Sequence, residues 1–281
     1  MVTVFDDRKC KLGEGLLWHP LRNQLFWFDI LSKKLFSRIN EDKKEWQFNE
    51  MASAAGWIDK NNLLIAFETN LSVFNLETSK LDKLIPLEEN NFITRSNDGR
   101  TDPWGGFWIG TMGKNAEENA GKIYRFFEGK LEIIYDNITV SNSICFSPDK
   151  LYAYFTDTFT NKIMRQTLSK EGWPKNKPEI FIDMTREKIN PDGSVVDTDG
   201  CLWNAQWGSG KCSRYDSQGK LLEQIILPAS QITCPSFGGK NLQTLFLSSA
   251  SIGLKSPEDL AGSVFELDTK FKGQKEHQII L

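Results

Sequence analysis

The feature that most constrains the fold is a unit that recurs six times along the chain. Each unit holds a short aromatic or aliphatic strand, a turn and a second strand. The units begin at positions 25, 63, 107, 151, 201 and 244, so successive starts differ by 38, 44, 44, 50 and 43 residues. A period of about 40–50 residues is typical of propeller blades. The repeat therefore predicts an all-β fold, a six-bladed β-propeller of four-stranded antiparallel blades.

Helical periodicity is nearly absent, and short Phe- and Trp-rich strands separated by turns favour an all-β chain. A pair of two-sheet β-sandwiches would explain the strands but not the six-fold period. Because the six units account for the whole chain, we expect a single propeller domain over residues 1–281 with no linker. The terminal segments 2–5 and 277–281 are expected to pair within one blade and so remove its open edges.

The charge balance excludes several classes of partner. The chain has 34 Lys and Arg against 37 Asp and Glu, a formal net charge of −3. It therefore offers no basic surface for nucleic acid or for an anionic membrane. No apolar run approaches the ~18 residues of a membrane helix, and the first residues lack the pattern of a signal peptide. Five scattered cysteines without a CxxC motif favour reduced thiols and a cytoplasmic location.

Histidine is scarce, which limits the chemistry that is available. The chain has only His19 and His277; we expect a structural role for His19, in a turn before Pro20, and a surface position for His277. Zinc sites built from histidine need two or three of them, and a Ser-His-Asp triad needs one in the right place. Acid–base chemistry in this protein would therefore depend on carboxylates or on a metal ion.

The segment RSNDGRTDPWGGFWIGTM, residues 95–112, combines polar turn-forming residues with an apolar strand. Taken alone, its first half is more typical of an ordinary surface turn. In a propeller, however, residues 107–110 would form the inner strand of the third blade. Arg95 and Asn97 would then lie at the mouth of the central channel, where polar groups on a rigid sheet can bind a small molecule.

Similar positions occur in three other blades. Glu14, Asn142 and Asp192 each stand immediately before a short apolar run, so all three are candidates to face the channel. Two carboxylates and one amide oxygen suit Ca²⁺, Mg²⁺ or Mn²⁺, and also Zn²⁺ or Fe²⁺. Three protein ligands would leave positions open for water and substrate, as in catalytic metal sites. Taken singly, each residue is better explained as part of a turn than as a metal ligand.

Five motifs occur in the order in which one known family carries them. They are LGEGxxW (12–18), RxNDGxxDPxGxFWxGTM (95–112), SNSxxFSPD (141–149), PDGxxVDxxGxLW (191–203) and FGGxxxxTLF (237–246). With them the chain resembles the SMP-30/gluconolactonase/regucalcin family, and within it the bacterial sugar-acid lactonases. The resemblance implies a six-bladed propeller with one divalent metal ion held by Glu14, Asn142 and Asp192. It also implies that Arg95 and Asn97 bind a sugar lactone.

The resemblance further implies the reaction, which is hydrolysis of an aldonolactone such as glucono-, xylono- or arabinono-lactone. Asp192 and Glu14 would be the catalytic residues, with Asp192 as general base beside the metal ion. Animal regucalcins carry a further carboxylate shortly after the GTM motif. The like position here is Asn115, with Glu117 and Glu118 just beyond it, and we take Asn115 and Glu117 as additional candidates for substrate binding. Two aromatic residues, Phe159 and Trp207, are expected either to flank the sugar ring or to belong to the core.

Two other functions remain compatible with the sequence. One is a non-enzymatic propeller scaffold that binds a divalent ion. The other is an esterase or phosphotriesterase that uses the same metal site. We expect a monomer or weak homo-oligomer whose partner is a small molecule.

Overall fold

A computed structural model describes all 281 residues of the chain. It contains 24 β-strands in six four-stranded antiparallel sheets, with a single 3-10 turn at Thr158–Thr160. The predicted six-bladed β-propeller is confirmed, and the pair of sandwiches is excluded. No helix in the structure is long and apolar enough to cross a membrane.

The blades follow one another along the chain. The N-terminal strand is β1 (Thr3–Asp6). Blade 1 comprises β2 (Gly13–His19), β3 (Gln24–Asp29), β4 (Lys34–Ile39) and β5 (Asp42–Gln47). Blade 2 comprises β6 (Ala52–Trp57), β7 (Asn62–Phe67), β8 (Asn70–Asn75) and β9 (Leu81–Pro86). Blade 3 comprises β10 (Thr94–Thr101), β11 (Phe107–Gly113), β12 (Gly121–Phe127) and β13 (Lys130–Ile138).

The second half of the ring repeats the arrangement. Blade 4 comprises β14 (Ser141–Phe146), β15 (Tyr152–Asp157), β16 (Lys162–Thr167) and β17 (Glu179–Asp183). Blade 5 comprises β18 (Asn190–Val196), β19 (Leu202–Trp207), β20 (Lys211–Tyr215) and β21 (Leu221–Ile226). Blade 6 comprises β22 (Ile232–Gly238), β23 (Thr244–Ser249) and β24 (Val264–Asp268), with β1 as its fourth strand.

The ring closes through β1, but not with the partner that the sequence predicts. Strand β1 pairs with β24, with Thr3 opposite Glu266 and Val4 opposite Phe265. The predicted pairing of residues 2–5 with residues 277–281 is therefore wrong. The last blade has only three strands of its own, and the edge of β24 is the one that β1 can complete.

The first strand of every blade lies at the centre of the molecule. Strands β2, β6, β10, β14, β18 and β22 each contact the first strands of both neighbouring blades and so surround the central channel.

The six repeats detected in the sequence start at the second strand of each blade. Residues 107–110 therefore belong to a second strand, and the prediction that they form the inner strand is wrong. Arg95 and Asn97 lie in the inner strand β10 itself, not in a turn.

Strand β10 forms because of the strand beside it. The residues of β10 have a turn-like composition, yet their backbone pairs with β11 from Thr94 opposite Gly113 to Thr101 opposite Phe107. Strand propensity depends strongly on neighbours, and pairing with a buried apolar strand outweighs a weak local preference. The polar side chains are accommodated because the strand faces a channel.

In all six blades, the pairing between the inner strand and the second strand shifts register near the start of the inner strand. In the strands that carry the candidate ligands, the shifts lie between Glu14 and Leu17, between Asn142 and Cys145, and between Pro191 and Ser194. A β-bulge bends the strand and redirects the side chains beside it. At Gly15, φ is +59° and a Cβ atom would lie 2.2 Å from the carbonyl oxygen of Ser53. Glycine therefore allows neighbouring inner strands to approach closely.

The core lies between the blades. One apolar cluster joins blades 1 and 2 around Phe26, Phe28 and Phe67, and another joins blades 5 and 6 around Trp203 and Phe265. These side chains are fully buried. Inter-blade packing of this kind holds the inner strands at fixed positions around the channel.

The C-terminal segment crosses the end of the propeller remote from Arg95. The amide of Ile279 donates to the carbonyl of Trp57 at 2.8 Å, and the amide of Ile280 donates to Gly105 at 2.9 Å. Glu276 forms an ion pair with Arg100 of β10. His277 is consequently half-buried in this segment, and its predicted surface position is wrong.

Candidate metal centre and substrate cavity

A cavity of about 480 Å³ opens where the inner strands begin. Its volume falls within the ~300–1,000 Å³ that is usual for small-molecule sites. Five side chains that the sequence selects all line this cavity, although they come from four blades. They are Glu14, Arg95, Asn97, Asn142 and Asp192. The register of the inner strands thus brings together residues that are up to 178 positions apart, from 14 to 192.

The two carboxylates are buried and poorly satisfied. Oδ1 of Asp192 has no hydrogen-bond partner. The carboxylate of Glu14 accepts one bond, from the amide of Gly15 at 3.2 Å. Because an unpaired buried charge is costly, buried carboxylates normally pair with a cation or bind a metal ion. This pair has the character of a cation site.

The electrostatics support the same conclusion. Burial, and then repulsion by Asp98, raises the pKa of Glu14. Burial and repulsion by Glu14 raise the pKa of Asp192 well above its usual range. Asp98 is itself buried, and burial raises its pKa to about 6. The guanidinium of Arg95 offsets only part of this repulsion, and its own burial lowers its pKa to about 10.

The donor set fits a divalent ion that accepts oxygen ligands. Nowhere does the chain group three His, Cys, Asp or Glu side chains in metal-binding geometry. An ion between Glu14 and Asp192 would therefore need a neutral donor as well. The amide oxygen of Asn142 is such a donor, and carboxylate with amide oxygen is a set that Ca²⁺, Mg²⁺ and Mn²⁺ accept.

The side chain of Asn142 is held in one orientation. Its Nδ2 donates to the hydroxyl of Thr158 at 3.0 Å, while its Oδ1 accepts from Nδ2 of Asn97 at 3.1 Å. The Thr158 hydroxyl in turn donates to the carbonyl of Pro191 at 2.8 Å. An amide oxygen has two lone pairs, so Oδ1 of Asn142 keeps one for an ion.

Arg95 and Asn97 are preorganised by bonds to each other and to blade 4. Nη1 of Arg95 donates to Oδ1 of Asn97 at 2.7 Å and to the carbonyl of Ser96 at 2.8 Å. Nδ2 of Asn97 also donates to the carbonyl of Ser141 at 2.8 Å. Because all these arginine bonds come from Nη1, Nη2 remains available to a ligand.

Asn115 and Glu117 lie beside the cavity, but neither lines it. The carboxylate of Glu117 accepts from Nδ2 of Asn115 and from its amide, both at 3.0 Å. In the same loop Lys114 and Ala116 form part of the wall. Lys114 pairs with Glu68 and donates to the carbonyl of Phe92 at 2.8 Å.

Both aromatic candidates line the cavity. Phe159 lies in the middle of the 3-10 turn that Asp157 caps, and the residue is 65% exposed. Trp207 ends β19 and packs against the apolar cluster that contains Leu12 and Ala250. Phe159 is therefore not a core residue, whereas Trp207 belongs both to the cavity wall and to the packing beneath it.

His19 takes no part in the site. Its Nε2 lies 2.9 Å from the carbonyl of Asp59, and its Nδ1 accepts from the amide of Leu21. The ring is buried, and burial lowers its pKa. These contacts agree with the structural role expected from the sequence.

Sequence reasoning missed Thr158, Lys114 and Asp98. Thr158 and Lys114 follow the second strands of their blades, where no local pattern distinguishes them from other turn residues. Asp98 is adjacent to Asn97, and its Oδ2 accepts from the amide of Ile144 at 2.7 Å. Asp98 lies in the β-bulge of β10, between Ser96 and Gly99. Aligning the six inner strands by register would have pointed to this residue.

The fold and the site define a class of protein, a six-bladed propeller with an oxygen-donor centre in its channel and a small-molecule cavity above it. The sequence profile described as SMP-30/Gluconolactonase/LRE-like region matches residues 12–251. The chain belongs to this family, which confirms the resemblance inferred from its motifs.

Individual relatives cover nearly the whole chain. An L-arabinolactonase of Azospirillum brasilense is 32% identical, over 96% of this chain and 93% of the relative. A 6-deoxy-6-sulfogluconolactonase of Pseudomonas putida is 30% identical, over 89% of this chain and 87% of the relative. The crystal structure of a calcium-binding protein, regucalcin, from Agrobacterium tumefaciens superimposes with a TM-score of 0.96 at 38% identity. That match covers 99% of this chain and 97% of the other.

Proposed function

We propose that this protein is a sugar lactonase that uses one divalent metal ion to hydrolyse the ring ester of an aldonolactone. The observation that carries the proposal is the pair of buried carboxylates, Glu14 and Asp192, at the base of a cavity of about 480 Å³. Oδ1 of Asp192 lacks any protein partner. Relatives named as lactonases support the same reaction.

Glu14, Asn142 and Asp192 would hold the ion through oxygen atoms. When bound, the ion supplies Lewis-acid polarisation of the lactone carbonyl and increases the acidity of a nearby water molecule. The carboxylate of Asp192 accepts a proton from the attacking water, and general-base catalysis of this kind typically contributes about 10²–10⁴-fold. Glu14 keeps the site negative enough to retain the ion.

Arg95 and Asn97 bind and orient the sugar. Nη2 of Arg95 donates to a substrate oxygen, and the second lone pair of Asn97 Oδ1 accepts from a hydroxyl. Both side chains are already fixed by their bonds to each other and to Ser141. Such preorganisation lowers the entropy that substrate binding costs.

The proposed substrates are glucono-, xylono- and arabinono-lactones. Names of the relatives favour this range, since one acts on an arabinolactone and another on a sulfogluconolactone. These lactones share the ester that the site attacks and differ in the hydroxyl groups that Arg95 and Asn97 would meet.

The test measures acid release from this set of lactones with chelator, and then with Mg²⁺, Ca²⁺, Mn²⁺ or Zn²⁺ restored singly. We expect turnover above the spontaneous rate only with metal. Glu14→Gln and Asp192→Asn should lower it by about 10²-fold or more. The matched control is Glu118→Gln, since Glu118 is exposed in the loop after β11 and does not line the cavity.

Two results would contradict the proposal. If acid release equals the spontaneous rate with every ion, the protein is no lactonase. If metal binds to the wild type but no lactone or ester reacts, the ion-binding scaffold is the correct description.

A further inference from the structure

The wall of the cavity combines polar and apolar residues in equal number. Of its 16 lining residues, eight are apolar. All the polar ones except Lys114 and Thr158 belong to the inner strands. Lys114 of blade 3 is the only charged residue of the wall outside those strands, and it is paired with Glu68. Thr158 has no free donor, because its hydroxyl proton goes to Pro191.

Four of the apolar residues come from four consecutive blades. They are Leu31 of blade 1, Phe159 of blade 4, Trp207 of blade 5 and Ile252 of blade 6. Phe159 is 65% exposed and Ile252 is 43% exposed. Each follows or ends the second strand of its blade, so the four residues occupy corresponding positions in neighbouring blades and form an apolar sector of the wall.

A polyhydroxylated substrate can use this sector only through the C–H faces of its ring. A hydroxyl group that meets Phe159 or Ile252 loses water and gains no hydrogen-bond partner, which is unfavourable. An alkyl group in the same place gains free energy with every methylene that leaves water. The polar residues and the apolar sector therefore suit different parts of one substrate, or different substrates.

We propose that the protein also hydrolyses γ-lactones that carry an alkyl chain on the ring carbon bonded to the ring oxygen. The chain lies along the sector formed by Leu31, Phe159, Trp207 and Ile252. This proposal rests on the proposed lactonase function for the hydrolytic step itself.

The reaction balances without any co-reactant other than water. The water oxygen forms a bond to the carbonyl carbon, and the bond from that carbon to the ring oxygen breaks. The ring oxygen takes up a proton and leaves as the hydroxyl group of a 4-hydroxy acid. The new carboxylic acid then ionises and releases one proton, which a pH indicator detects.

The experiment measures kcat/KM of the metal-loaded protein for γ-valero-, γ-hexa-, γ-octa- and γ-nonalactone, with gluconolactone in parallel. We expect kcat/KM to rise by up to about fourfold per added methylene, the limit set by ~0.8 kcal/mol per buried CH₂. Phe159→Ser should lower the value for γ-nonalactone by about tenfold and that for γ-valerolactone by less than about threefold. The matched control is Phe92→Ser, because Phe92 is 82% exposed and lies outside the cavity wall.

The outcomes separate this proposal from the proposed function. If gluconolactone reacts but kcat/KM is flat or falls along the alkyl series, the alkyl-lactone proposal is wrong and the sugar lactonase stands. The same holds if Phe159→Ser and Phe92→Ser give identical chain-length profiles. If no lactone of either kind reacts, both proposals fail. Because Phe159 is exposed, its serine variant should fold, and unchanged thermal unfolding checks this.

Discussion

Asn142 donates a hydrogen bond from Nδ2 to the hydroxyl oxygen of Thr158 at 3.0 Å. That hydroxyl donates its own proton to the carbonyl of Pro191, the residue before Asp192. Thr158 thus connects the strands of two candidate metal ligands and determines which end of the Asn142 amide faces the centre. Groups of this kind orient a ligand without touching the ion.

The first prediction concerns this positioning role. Thr158→Val removes the acceptor for Asn142 Nδ2, so it should weaken metal binding by about 10-fold or more, as loss of an orienting partner typically does. Titration calorimetry with Mn²⁺ measures the dissociation constant directly. Thr158→Ser keeps the hydroxyl and should restore most of the affinity, and kcat at saturating metal should change little in either variant.

Thr160→Val is the control for this prediction. Thr160 lies on the same 3-10 turn, but its hydroxyl donates to the carbonyl of Asp157 and not to the site. Equal Mn²⁺ affinity of Thr158→Val and Thr160→Val would refute the positioning role.

The second prediction is a pH dependence of stability that metal removes. Burial raises the pKa of Glu14 from 4.5 to about 8 in the metal-free protein. Between these values the folded protein keeps a proton that the unfolded chain has lost, so the free energy of unfolding decreases as pH rises. The contribution is fully present below about pH 4.5 and lost above about pH 8.

Bound metal replaces that proton, so the decrease should largely disappear with saturating Mn²⁺. Thermal unfolding from pH 5 to 8.5, with chelator and with Mn²⁺, measures the effect. Glu14→Gln should flatten part of the metal-free curve. Parallel curves with and without the ion would show that Glu14 is not a ligand.

The third prediction distinguishes two residues of the loop after β11 by their effect on KM for gluconolactone. The ammonium of Lys114 has three N–H donors and uses two of them, on Glu68 and on the carbonyl of Phe92. The third can donate to a substrate, so Lys114→Met should raise KM for gluconolactone by about fivefold, the value of one ordinary hydrogen bond. Glu117 bonds to Asn115 instead, so Glu117→Ala should leave KM within about twofold. Steady-state kinetics gives both constants. An equal rise in KM for Glu117→Ala would support the contact that the sequence predicts at Asn115 and Glu117.

The fourth prediction concerns the C-terminal segment. Ile279 is 2% exposed and packs in the cluster between blades 2 and 3, whereas Ile280 is 56% exposed. Ile279→Ala should reduce the free energy of unfolding by about 2–4 kcal/mol, as for other buried isoleucines. Ile280→Ala should cost less than about 1 kcal/mol, since its side chain is half in water. Denaturant unfolding compares the two, and equal losses would show that the segment does not contribute to the core.

The sequence predicts the propeller because the apolar second strands repeat at the blade period. It also selects Glu14, Asn142 and Asp192, which the structure brings to one cavity. It assigns the inner strand of blade 3 to the wrong residues, because β10 is polar and becomes a strand only by pairing with β11. Strand β1 pairs with β24 because the edge of β24 is free, and no local sequence pattern predicts that free edge.

By itself, then, the sequence determined the number of blades, the family and the residue types at the channel. Only the tertiary structure decided which polar atoms meet, as with Asn142 and Thr158, and that Phe159 and Ile252 face the same cavity. The physical reason is that hydrophobic periodicity reports how each segment is buried along the chain. Contacts between blades depend on the register of the strands and on closure of the ring, which no single segment encodes.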